Sequence, residues 1–147
     1  MKNCEETDGI MEYKSLAEMN RVHQQRVNEL PIRWAFSDKQ LEEVLEEWNV
    51  TVDDCMGFCG GIIRKADKEM IIKVFDQNAS EEKEFRKEKK NLVETFINAM
   101  RETEYGYTDD DEEVLRYCGY DWNGYYKDDF IKAAFKSAKK KYMKSAV

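Results

Sequence analysis

Proline is nearly missing from this chain, with Pro31 the only one in 147 residues, and glycine is scarce at seven. Long stretches therefore lack the two residues that most often interrupt a helix, which favours helices over a turn-rich β protein. No apolar run approaches the 18 residues of a membrane span, and no charged-then-apolar leader opens the chain. The expectation is a soluble, cytoplasmic protein. Histidine occurs once, at His23, and no ordered catalytic signature accompanies it. The four cysteines, Cys4, Cys55, Cys59 and Cys118, have no secretory context, so reduced thiols are the default.

What is present suits one globular domain. Apolar residues make up 41%, aromatic residues 12% and charged residues 37% of the chain. That is enough apolar material for a core without metal or disulfide support, and too aromatic for disorder. The net charge is −7, unevenly spread: residues 126–147 carry +5 and residues 1–125 carry −12. An acidic body repels nucleic acid and attracts basic protein surfaces. The Lys-rich end alone favours phosphate.

Periodicity gives the elements. After a polar segment expected to fray over residues 1–12, Tyr13, Leu16, Met19, His23, Val27 and Leu30 form a helical stripe that Pro31 ends. Residues 32–36 read as a short strand or extended link. Ser37 and Gln40 form a capping box for a helix with Leu41, Val44, Leu45 and Trp48 inward and Glu42, Glu43, Glu46 and Glu47 outward. Thr51 offers a further cap, and the glycines at positions 57, 60 and 61 predict a tight turn. A short helix is expected over residues 66–77, and a longer one restarting at Asn78 or Ser80 and running to Glu104, with Leu92, Val93, Phe96, Ile97 and Met100 on a core face. Gly106 is expected to break it in a left-handed conformation. Thr108 then caps a helix whose first turns hold Asp109, Asp110, Asp111, Glu112 and Glu113. After an aromatic turn at residues 121–125, a last helix from Tyr126 sets Ile131, Phe135, Ala138 and Tyr142 against Lys132, Lys136, Lys139 and Lys140.

These residues admit several chemical readings. A lone stripe histidine is more often packed than a catalytic base, which also needs a placed partner. Cys55-x-x-x-Cys59 approximates a loose zinc half-site that His23 and Cys118 could complete, yet structural zinc sites show tighter spacing. The glycine-rich turn before Arg64 and Lys65 lacks the order of either phosphate-binding glycine motif. The run DDDEE lacks the alternation and glycine of a calcium loop, and its neighbours on one helix do not face each other across a cleft as glycosidase carboxylates do. The favoured reading has acids complementing a helix N-terminus and forming an acidic surface, with no catalytic residue, metal or cofactor.

The segments AFSDKQLEEVLEE, GFCGGIIRKAD and ETEYGYTDDDEEVLRYCG occur in this order. With their F-S-D-K-Q start, Gly-rich turn before I-R-K and E-Y-x-Y-T-x-D turn before a helix, they resemble a family of small uncharacterised proteins of Firmicutes phages and mobile elements. The likeness spans about residues 34–120 and brings no catalytic residues with it. The cysteines lie outside its pattern, which weakens the zinc reading further.

The expected fold is mainly α, a single domain over residues 13–147 with five to seven helices and a two-stranded β element near residues 32–36 and 61–64. The expected function is a non-enzymatic acidic binding protein, in the host cytoplasm, that contacts a host protein through the faces at 42–47 and 109–113. The resemblance implies inhibition of a host defence system, in the manner of an anti-CRISPR or nucleic-acid mimic. The alternatives are a nucleic-acid-associated accessory protein using Lys132, Lys136, Lys139 and Lys140, and an enzyme or zinc protein using His23 and the cysteines.

Overall fold

A computed structural model describes residues 11–145. The fraying expected for residues 1–12 therefore lies, for its first ten residues, outside the described part. The fold is mainly α with one small antiparallel hairpin. Among the described residues there are eight α-helices: α1 Leu16–Asn28, α2 Asp38–Trp48, α3 Lys68–Phe85, α4 Lys89–Glu102, α5 Tyr105–Thr108, α6 Asp111–Tyr117, α7 Trp122–Lys127 and α8 Asp129–Ser145. The hairpin pairs β1 (Cys55–Phe58) with β2 (Gly61–Arg64). The chain divides into two compact units, one of residues 1–19 and 81–147 and one of residues 20–80.

In the first unit the predicted core helix is α4. Leu92, Val93, Phe96, Ala99 and Met100 are all buried, and α4 packs most extensively against α8, which contributes Ala134, Phe135 and Ala138. Phe96 and Phe135 meet edge to face at 5.2 Å, a geometry that adds about 0.5–1.5 kcal/mol to the burial itself. Thr95 on α4 and its C-cap Thr103 satisfy their hydroxyls on helix carbonyls: Thr95 donates to the Asn91 carbonyl and Thr103 to the Ala99 carbonyl, each at 2.9 Å. The aromatic turn expected at 121–125 is instead the helix α7, because the Asp121 carboxylate accepts from the Gly124 N–H at 2.6 Å and caps it. Asp128 caps α8 in the same way through the Phe130 and Ile131 amides.

The second unit is organised on the hairpin. Ile32, Ile63 and Ile71 are its buried centre, with Phe58 and Phe75 packed beside them at 5.6 Å between rings. Here the strand pairing differs from expectation. Residues 61–64 pair with 55–58, and the 32–36 segment contributes only an isolated bridge from Arg33 to Ile62. The cause is the turn: Cys59 and Gly60 both take positive φ, 51° and 83°, the two-residue geometry that matches strand twist. Gly61 is needed because a Cβ there would come within 3.0 Å of the Arg33 carbonyl oxygen. At α2 the Ser37 cap forms as expected, but Gln40 reaches back one residue further, to Phe36 and not to Ser37. Ser37 Oγ accepts from the Gln40 N–H at 3.2 Å, while the Gln40 amide oxygen accepts from the Phe36 N–H at 2.7 Å.

One boundary was misplaced by periodicity. No break occurs at Asn78 or Ser80; α3 runs unbroken to Phe85, and the chain turns at Arg86–Glu88. Asn78 is held on the helix by Arg26, whose guanidinium donates to its Oδ1 at 2.9 Å. The stop comes later because the Asn91 side-chain amide donates to the Phe85 carbonyl at 3.0 Å, satisfying an orphan acceptor of the helix end.

The charge-rich stretch from Glu81 to Lys90 also hides a core residue. Glu81 is fully buried, and its carboxylate accepts from the Tyr13 hydroxyl at 2.5 Å and from the Met11 N–H at 3.2 Å. A buried carboxylate is tolerated only when donors replace its lost water. Tyr13→Phe keeps the ring and removes one donor, so stability in urea denaturation is expected to fall by about 1.5–3 kcal/mol. Phe36→Ala, on a side chain 84% exposed, is expected to change it by less than about 0.5 kcal/mol.

Candidate functional site

The acidic segment begins where α4 ends. The left-handed residue there is Glu104, with φ 54°, and not Gly106, which lies inside the short helix α5. This shift buries Tyr105 at 1% exposure and leaves Tyr107 at 92%. Nor is Thr108 the cap of the next helix. Asp109 takes φ 51°, and Asp110 caps α6 by accepting from the Glu113 N–H at 3.1 Å.

Asp111 also turns away from solvent. It accepts a short hydrogen bond from the Tyr105 hydroxyl, and Lys139 Nζ lies 3.4 Å from its Oδ2. The same ammonium sits 5.9 Å from the centre of the Tyr105 ring. Tyr142 closes the cluster by accepting from the Gly106 N–H at 3.2 Å. Two of the five acids are thus structural: Asp110 as a cap and Asp111 as the anchor of α5, α6 and α8. Asp109 and Glu112 remain exposed and Glu113 half-buried, and no ion pair reaches them among the described residues.

The second acidic face lies on α2. Glu42, Glu43, Glu46 and Glu47 are all exposed. Glu47 is held in a two-pronged pair by the Arg33 guanidinium, one leg of which is 2.9 Å. Glu42, Glu43 and Glu46 have no ion pair among the described residues. Glu42 and Glu46 border a shallow groove floored by the half-buried Leu45 and Val50.

The lysines of α8 do not act as one face. Lys139 is engaged by Asp111, and Lys132 pairs with Asp129 at 3.6 Å. Lys136 and Lys140 stay exposed with no ion pair among the described residues, and they border a second shallow groove with Met143, itself 48% exposed.

Among the described residues no three His, Cys, Asp or Glu side chains converge to hold a metal ion. His23 is half-buried, Cys55 is half-buried on β1, Cys59 is exposed in the hairpin turn and Cys118 is buried. The Gly-rich segment is that hairpin turn. Among the described residues no helix is long and apolar enough to cross a membrane. A constellation missed by sequence reasoning surrounds Arg86: its guanidinium donates to the Cys118 carbonyl at 2.7 Å, lies 3.3 Å from Glu82 and stacks 5.5 Å over Tyr120. Only the Glu82–Arg86 spacing hinted at it.

Comparison with known proteins adds a family and no activity. The model of a family of unknown function, DUF7659, matches residues 15–141. No curated protein and no solved structure matches the chain.

The buried acids of this region make alkaline pH informative. Burial pushes the Cys118 thiol up to about 11. Burial, then the hydrogen bond to Asp111, raises Tyr105 far above the ordinary tyrosine range. Both groups hold their protons longer when folded than when unfolded. Their contribution to stability is therefore complete below the unfolded values and declines as pH rises through them, from about 9 for Cys118 and about 10 for Tyr105. Urea midpoints are expected to be flat to about pH 8.5 and to fall progressively above it. Asp111→Asn is expected to lower the midpoint at neutral pH and to flatten its fall above about pH 10.

Proposed function

The chain belongs to the DUF7659 family, whose function is unknown, and we propose that this member is a non-enzymatic binding protein that acts by protein–protein contact through its acidic surface. The observation that carries this reading is the exposed carboxylates that stay unpaired on the two acidic faces: Glu42, Glu43 and Glu46 on α2, and Asp109 and Glu112 at the start of α6. Each is exposed and none is neutralised by an ion pair among the described residues. Such groups stay fully hydrated until a cation displaces the water, so the partner they fit is a surface rich in lysine and arginine. Tyr107, 92% exposed beside Asp109, supplies the aromatic contact that charged rims lack and that binding energy concentrates on.

The setting follows from the resemblance to small proteins of Firmicutes phages and mobile elements. There the partner is a host factor in the cytoplasm, a nucleic-acid-binding defence effector, which the acidic faces inhibit by competing with phosphate for its basic groove. Mimicry of this kind needs no bond-making, in keeping with carboxylates on helix exteriors.

A pull-down from Firmicutes lysate with the full chain tests this reading. The expected catch is a basic, nucleic-acid-binding protein, eluted by added duplex DNA or by raising salt from about 0.1 M to 1 M. D109N/E112K spares the Asp110 cap and the Asp111 anchor, and together with E43K/E46K it is expected to reduce retention at least about tenfold. Retention of no partner, or retention indifferent to both variants, overturns the reading.

A further inference from the structure

The two shallow grooves are chemical complements. On α2 the carboxylates Glu42 and Glu46 stand one helical turn apart above Leu45 and Val50. On α8 the ammonium groups of Lys136 and Lys140 stand one turn apart beside Met143. Both pairs have the four-residue spacing that puts side chains about 6 Å apart along a helix. All four charges are exposed and none has an ion pair within its own unit. Each groove also offers apolar surface between its charges, which a helix can cover.

We propose that the α8 groove is a docking site for the α2 face of a second copy of this chain. The contact sets Glu42 and Glu46 against Lys136 and Lys140 and closes Met143 over Leu45 and Val50. Phosphate is the rival occupant of the lysines, but a phosphate backbone has nothing to place on Met143, and most of the chain's excess negative charge lies in residues 1–125. The patches are unlike, so the contact is heterologous and propagates with concentration. A single helix pair buries less than a standard interface, which makes the association weak and transient. It shares Glu42 and Glu46 with the α2 face of the proposed function but does not rest on that reading: K136E/K140E removes the self-association and leaves every carboxylate of that reading in place.

Sedimentation velocity on the full chain tests it. The weight-average sedimentation coefficient is expected to rise between about 10 µM and 1 mM at low salt, and to return to the monomer value at about 1 M salt, where screening shortens to about 3 Å. E42K/E46K and K136E/K140E are each expected to stay monomeric, with far-ultraviolet circular dichroism unchanged. Mixed at equal concentration, the two variants are expected to associate again, since each now carries the complement of the other. A wild-type chain that is monomeric at every concentration overturns the proposal, whatever the variants do. So does association that survives high salt, or that persists in both charge-reversed variants. Retardation of duplex DNA by the wild type and not by K136E/K140E, from a protein that stays monomeric, assigns the groove to phosphate and equally overturns it.

Discussion

The contact between Phe96 on α4 and Phe135 on α8 is the constraint from which the rest of the first unit follows. A helix with Leu92, Val93, Phe96, Ala99 and Met100 buried along its length needs a long cover, and α8, at 17 residues, provides it. The 26 residues between the two helices hold the short helices α5, α6 and α7, of which α6 and α7 are capped by side chains. Acidic residues supply such caps. Asp110, Asp121 and Asp128 each accept backbone N–H groups at a helix start, and each cap is worth on the order of 1 kcal/mol. The acidic character of this region is first a consequence of needing three helix starts in a short space.

The same principle separates the carboxylates of the whole chain by task. Glu81 is buried and held by a phenol and an amide; Asp111 is half-buried and held by a phenol and an ammonium. Neither can meet a partner. Glu47 is exposed but already forked by Arg33. On the two acidic faces the exposed, unpaired set is smaller than a run such as DDDEE suggests: Glu42, Glu43 and Glu46 on α2, and Asp109 and Glu112 at the start of α6. A count of acids along the sequence therefore overstates the surface by including residues whose charge is consumed inside the fold.

Legibility in the sequence followed the range of the forces involved. The mainly α class, the core face of α4, the Ser37 cap and the apolar side of α8 all depend on spacing within one helix, and were readable. The strand partner of 61–64 was not, because pairing was decided by Cys59 at positive φ, a conformation a non-glycine residue seldom adopts. The unbroken run of α3 past Asn78 depended on Arg26, 52 residues away, and the burial of Glu81 on Tyr13, 68 residues away. For the candidate site the acidic face of α2 was legible as a whole, whereas the 109–113 run was legible only as composition. Its division into cap, anchor and exposed charge rests on Tyr105 and Lys139, the latter 28 residues distant, and no local pattern announces either.

That division bears on what kind of surface this is. A site that performs chemistry gathers its carboxylates into a cleft where low dielectric and a neighbour force their proton affinities apart. Here the buried carboxylates are already committed to holding the chain together, and the uncommitted ones point outward from α2 and from the start of α6. Outward charges at helical spacing exert their effect over about 10 Å in ordinary salt, enough to attract and orient a basic surface before contact. In the proposed contact, charge selects the class of partner, and the exposed Tyr107 together with Leu45 and Val50 beside Glu42 and Glu46 supplies the apolar part.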